Sequence, residues 1–322
     1  MRRVVLRWVA AFVVIAVVGA GSVAMIVAVG FGPGAFVTAY LDALARHDAA
    51  SALALPGVDD GSDDGDSRAL LTSATLPGLS GIRITDDVEH DGGVHRVTAH
   101  WTSRGADGQT SFEVERIGTR FGVFPIWGFA QSPTAQLSLE VRNARDVTAG
   151  TQSVHTPGVG AHDYALLVPG DYRFVQRTAL VSSPVTSVVA DTPGERLSAT
   201  VDVEATPRLL SEVSTRVREL LAGCTAQKVL YPTGCPFGQE IDDRVVSDPV
   251  WSIAQEPVIR LEGAGDDESW TIPAVPGTAH LKVRVESLYD GSTSTFDKDV
   301  PFTIRATVAL HADGTITISD VR

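Results

Sequence analysis

The sequence predicts an α+β protein behind a membrane anchor: an N-terminal transmembrane helix, then two α+β domains flanking a small β-sandwich. Three observations predict it. Residues 8–30, WVAAFVVIAVVGAGSVAMIVAVG, form an apolar run without a charge. Segments of helical period open two later stretches, 35–132 and 206–322, and strand-like segments follow in each. Residues 133–205, between them, carry short strand-like segments only. Helices followed by an antiparallel meander are an α+β order.

The anchor comes first in the chain. A helix needs about 20 apolar residues to cross a bilayer core, and residues 8–30 supply them. Arg2, Arg3 and Arg7 precede the run. Basic residues mark the cytoplasmic flank, so residues 1–7 are expected inside the cell membrane and the bulk of the chain outside it. A cleaved signal peptide is the rival reading. Its apolar core spans only about 7–15 residues, shorter than this run, although AVGFG offers a weak small-residue cleavage pattern.

Bulk composition narrows the partners. The chain has 322 residues, 44% of them hydrophobic, enough for sizeable cores. Net charge is −13, and −16 without the three arginines ahead of the span. Such a surface as a whole repels nucleic acid and anionic lipid headgroups, so no nucleic-acid partner is expected. Arginine outnumbers lysine 23 to 3 and Asn143 is the sole asparagine, a skew similar to that of high-GC genomes such as actinobacterial ones.

Gly30 to Gly34 (GFGPG) should break the membrane helix. Over 35–47, Phe36, Val37, Tyr40, Leu41 and Leu44 recur at helical spacing. Asp48 is placed to cap a second helix over 49–55, and a third short helix is expected over 67–73. Four strands are expected over 82–89, 95–103, 111–117 and 120–127, with turns at Asp91-Gly92-Gly93 and Gly118-Thr119. In the second strand Val97, Ala99 and Trp101 share a face.

The segments VTAYLDALARHDAASALAL and FEVERIGTRFGVFPIWGFA, with strands between them, resemble the nuclear transport factor 2-like fold. The resemblance covers 35–132 and implies a cone of helices packed into a curved antiparallel sheet. That family hosts enzymes, binding modules and scaffolds, so the likeness implies no single activity.

Residues 133–205 read as a β-sandwich, with strands over 136–141, 164–168, 172–176, 184–190 and 196–203. Thr206-Pro207 then opens a helix, Thr as N-cap and Pro at its first position. Its apolar stripe is Leu209, Leu210, Val213, Val217, Leu220 and Leu221, and Gly223 is expected to end it. Strands are expected over 258–262, 269–273, 280–289, 300–311 and 315–320, with turns at Asp290-Gly291 and Asp313-Gly314. Residues 206–322 thus repeat the element order of 35–132 and are read as a second cone-like domain.

Cys224 and Cys235 are the only cysteines. In an exported chain they are expected to form a structural disulfide, worth about 3 kcal/mol in the chain-entropy model. Asp60, Ser62, Asp64, Gly65 and Asp66 match five positions of a calcium loop. The bidentate Glu of position twelve is replaced by Leu71, and Arg68 stands at position nine, so a solvated loop is the better account. His90, His95 and His100 do not converge, because odd separations on a strand point to opposite faces. His47, His155, His162, His280 and His311 show no ligand spacing.

No catalytic motif occurs, and no cofactor, metal or enzymatic activity is expected. The function expected is a binding or scaffold module in the cell envelope, with an envelope protein or a cell-wall component as partner. The alternative is a small-ligand binder or an isomerase- or dehydratase-like enzyme using the cone of 35–132, with Tyr40, Asp42, His100 and Trp101 as its candidate lining residues.

Overall fold

The computed structural model describes residues 31–58, 68–90, 92–121, 124–264, 269–311 and 314–319. The expected span at 8–30 and the calcium-like positions 60–66 lie outside them. Among the described residues no helix is long and apolar enough to cross a membrane.

The N-terminal region carries two helices and a four-stranded sheet. They are α1 (Pro33–Ala45), α2 (Ala49–Leu53), β1 (Leu79–Glu89), β2 (Val94–Ser103), β3 (Ala106–Arg120) and β4 (Phe124–Phe129). The sheet is an antiparallel meander in chain order. Asp48 caps α2, its Oδ1 accepting from the Ser51 amide at 3.0 Å. Val37, Tyr40, Leu41 and Leu44 of α1 are buried with Val97, Ala99 and Trp101 of β2 and Phe112 and Val114 of β3. Tyr40 meets Phe112 and Phe129 edge-on, at 5.9 and 5.1 Å between ring centroids. Trp101 lies over Gly108, its cross-strand partner, where a Cβ would run into the indole.

Residues 133–205 form two larger sheets and a separate two-stranded one. One has the order β12-β5-β8: β5 (Thr134–Arg142) pairs in parallel with β12 (Arg196–Asp202) and antiparallel with β8 (Ala161–Leu167). The other has the order β11-β9-β6-β7, built from β6 (Asp146–Ala149), β7 (Gln152–His155), β9 (Gly170–Val175) and β11 (Thr186–Ala190). Short β10 (Val181–Ser182) pairs with β13 (Glu204–Ala205). Leu137, Leu139, Tyr164 and Leu166 of the first sheet and Val147, Val154, Tyr172 and Phe174 of the second belong to one core.

That core does not stop at residue 205. It runs on through α3 (Pro207–Thr225) into a six-stranded sheet. Two 18-residue strands, β17 (Ser269–Glu286) and β18 (Thr293–Leu310), dominate the sheet. β14 (Arg244–Val245), β15 (Val250–Gln255) and β16 (Glu262–Gly263) pair with β17, and β19 (Ile316–Ser319) pairs with β18. Pro273 and Pro276 fall between the stretches of β17 that pair with β16 and with β15, where that side of the strand asks for no amide donor.

The fold class therefore departs from the expectation. Strands make up 51% of the described residues and helices 14%, so the described protein is mostly β and not an α+β pair of cones. Three helices accompany nineteen strands among the described residues. Two physical causes are visible. The helix expected over 67–73 is pre-empted by side-chain bonds: Thr75 Oγ1 donates to the Leu70 carbonyl at 2.6 Å, and the Thr72 amide donates to Thr75 Oγ1 at 3.4 Å. In the C-terminal region α3 buries Leu209, Val213, Val217, Leu221 and Cys224 in a core shared with residues 135–203, rather than in a cone of its own. The strands expected over 269–273 and 280–289 are one strand with a register shift between Ile272 and Val275.

Smaller departures follow local chemistry. Thr206 Oγ1 accepts from the Leu209 amide at 3.4 Å, and α3 continues through Gly223 to Thr225, while Leu210 stays exposed. The β2–β3 turn is Arg104-Gly105, with φ of 50° and 87°. Gly118 and Thr119 continue β3 after a bulge instead of turning.

Candidate functional site

The residues proposed to line a cone in the N-terminal region are placed apart and mostly occupied. Tyr40 is buried, and its hydroxyl donates to the carbonyls of Val168 at 2.8 Å and Pro133 at 3.1 Å, tying α1 to the sandwich. Burial first, then the neighbouring Tyr172, pushes its pKa well up, so it remains a neutral donor. Trp101 is buried and its Nε1 donates to Thr110 Oγ1 at 3.0 Å. Asp42 is exposed on α1. His100 is half-buried on β2. Aromatic and aliphatic side chains fill the space between α1 and the sheet.

His95 hydrogen-bonds Asp87 at 2.9 Å and packs edge-on against Trp127, and exposed His90 ends the hairpin. Among the described residues no group of three or more His, Cys, Asp or Glu is placed to hold a metal ion. Cys224 and Cys235 are bonded to each other, with Cα atoms 5.7 Å apart. The bridge fixes the 225–234 loop to the end of α3, next to Phe237, which packs on Trp251 and Phe302.

A cleft of about 440 Å³ opens where the sandwich meets the end of β18. Its floor is apolar: Ala144, Leu180, Val181 and Leu310. Its rim is polar: Asp146, His155, Gln176, Thr178 and His311. The elements that position these groups are locally determined. Asn143 takes a left-handed φ of 62°, tolerated by Asn, and its Nδ2 donates to the Val203 carbonyl at 3.1 Å. That turn directs the chain into β6. Asp146 and His155 are cross-strand partners on β6 and β7, and His155 Nδ1 lies 3.0 Å from Asp146 Oδ1. Thr178 accepts from the amides of Leu180 at 3.2 Å and Val181 at 3.0 Å, which closes the loop before β10. His311 Nε2 meets Thr317 Oγ1 at 2.9 Å.

An apolar floor with a few oriented polar groups is the make-up of a binding cleft. The His155–Asp146 pair is largely exposed, the Thr178 hydroxyl is engaged by its own turn, and the His311–Thr317 contact joins two exposed residues, so none of these groups sits in a site closed to water. What the rim offers is hydrogen bonding together with the formal charges of Asp146 and of Arg145, which also lines the cleft. Sequence reasoning missed the cleft because it assigned no strand to 146–149 or 152–155. Gly150, with φ of 61° between two short alternating runs, was the available signal.

No protein-family model, curated protein or solved structure matches this chain.

Proposed function

We propose that this protein is a single-span, membrane-tethered extracytoplasmic binding module that holds a protein or cell-wall component in the cleft between sandwich and C-terminal sheet. The observation that carries the reading is the cleft itself, an apolar floor under a polar rim contributed by two regions with one continuous core. A shared core holds the two walls in fixed relation, which lowers the ordering cost of binding. The Cys224–Cys235 disulfide supports an oxidising compartment. The uncharged run at 8–30 behind three arginines supports the tether, with residues 1–7 inside.

The test is site-specific photocrosslinking of the full chain in its own membrane. A benzophenone amino acid replaces His155 or Thr178 at the rim, or Arg96 on the exposed face of β2. Adducts of defined mass from the two rim positions and none from Arg96 are expected. Equal yields at all three positions, or none at the rim, defeat the proposal.

A further inference from the structure

The N-terminal region carries an exposed apolar lip at the end nearest residue 30. Phe31, Phe124, Ile126 and Trp127 border a cleft of about 520 Å³, with Phe121 at its edge. Phe121 is 83% exposed and Phe31 46%. Large aromatic groups this open to water are unusual in a folded chain and mark a surface that meets something apolar.

Three observations identify what covers it. Position comes first: Phe31 immediately follows the apolar run 8–30, so the lip begins one residue from the end of that run. Consecutive Cα atoms are about 3.8 Å apart, so Phe31 stays close to the point where a span would leave the bilayer. Fixation is second. The Trp127 indole donates to the Phe31 carbonyl at 2.8 Å, and the rings of Phe31 and Phe124 are 4.8 Å apart. These two contacts tie Phe31 to β4. Charge is third. Residues 116–127 contain Arg116 and Arg120 and no carboxylate, in a chain with 39 acidic residues. The Arg120 guanidinium lies 5.6 Å from the Phe121 ring centroid.

We infer that this lip is a membrane-seating surface, in which Phe31, Phe121 and Phe124 enter the headgroup–acyl boundary of a phospholipid bilayer while Arg116 and Arg120 meet lipid phosphates. The inference rests on the tether reading of 8–30. Aromatic rings favour the interface because they present an apolar body at headgroup level, and guanidinium forks match phosphate oxygens. The acidic remainder of the chain repels anionic headgroups, so the two together favour an orientation with the lip toward the lipid.

The experiment uses the full chain in vesicles of phosphatidylcholine and phosphatidylglycerol. Both native cysteines are in the disulfide, so an introduced thiol is the only one free for a fluorophore. Thr119→Cys places it beside the lip, Val18→Cys inside the run, and Tyr289→Cys on the 98% exposed turn before β18. Lipids carrying a nitroxide just below the headgroup are expected to cut emission from position 119 by about two-fold or more, at the 5–10 Å depth of interfacial segments, lipids carrying it at the acyl-chain end are expected to do so for position 18, near the middle of the run, and both should leave position 289 unchanged. Phe121→Asp added to the Thr119→Cys chain should abolish the quenching at 119. Quenching at 18 without quenching at 119 overturns the lip and keeps the tether. Quenching at 119 alone keeps the lip and overturns the tether, and quenching at neither overturns both. A label at 119 shielded from iodide but untouched by the lipid quencher means that protein, a second copy of the chain included, covers the surface, and also overturns it.

Discussion

The N-terminal and C-terminal sheets begin from the same order of elements, a helix, irregular loops and an antiparallel meander, and end with different cores. The first keeps its own: α1 covers β1–β4, and the buried set from Val37 to Phe129 gains only Leu167 from outside. The second keeps none: α3 and β17–β18 contribute to a set that runs without a break into the sandwich. Leu70 and Leu71 show how narrow the division is, since these neighbours belong to different cores. The difference teaches that element order does not specify which buried faces meet. In the first region one 13-residue helix suffices to cover the apolar face of the sheet. In the second, two 18-residue strands expose more apolar surface than one helix covers, and the sandwich supplies the rest.

The largest test of this contrast is a pair of core truncations. Phe112→Ala and Ile304→Ala, both at fully buried positions, should cost about 3–5 and about 2–5 kcal/mol respectively. Hydrogen exchange read by peptide should separate them. The first is expected to speed exchange across β1–β4 and leave the sandwich alone, and the second to speed it in β17–β18 and in β5 and β8 together. An even spread from Phe112→Ala would erase the distinction between the cores.

A milder pair compares two glycines that play one role. Gly108 lies under Trp101 and Gly277 under Phe302, each opposite its aromatic partner across the ladder. Gly108→Val and Gly277→Val should each cost about 1–3 kcal/mol by overpacking, read as a lowered urea midpoint. Exchange should quicken in the first sheet only for Gly108→Val, and across the sandwich as well for Gly277→Val. Stability unchanged by either variant would deny the aromatic cover.

The smallest effect is electrostatic and confined to the C-terminal sheet. His280 bridges Asp299 at 2.8 Å and Asp297 at 2.9 Å, and Lys282 also pairs with Asp297 at 3.0 Å. The hydrogen bond to Asp299, aided by both carboxylate charges, raises the His280 pKa above its ordinary 6.5. A raised histidine adds stability that is complete below 6.5 and is lost as pH rises through the folded-state value. His280→Gln should flatten that part of the pH dependence of the urea midpoint by a small margin, because the group is solvent-screened. A wild-type midpoint that does not fall over this interval would contradict the assignment.

How much was legible in the sequence differs between element types. Strand positions in the first meander were legible because Val97, Ala99 and Trp101 alternate over a face that is half solvated and half buried. β17 was read as two strands because Pro273 and Pro276 interrupt its pattern, and only the partners on either side show why they are tolerated. The disulfide was legible from two cysteines in a chain read as exported, and it forms between Cys224 and Cys235. The cleft was not legible: His155 and His311 are far apart in the chain and line one cleft only because two regions share a core.

By itself, the sequence determined the local choices: the Asp48 and Thr206 caps, the proline that opens α3, the alternation of β2, and the cysteine pair. Each depends on groups a few residues apart, whose chemistry is readable in order. Only the tertiary structure decided that the protein is mostly β, that two of its regions fuse their cores, and where the cleft and the aromatic lip lie. Hydrophobic periodicity says which face of an element leaves water. It carries no information on which other face receives it, because apolar burial is non-directional and shape complementarity among distant segments makes the choice.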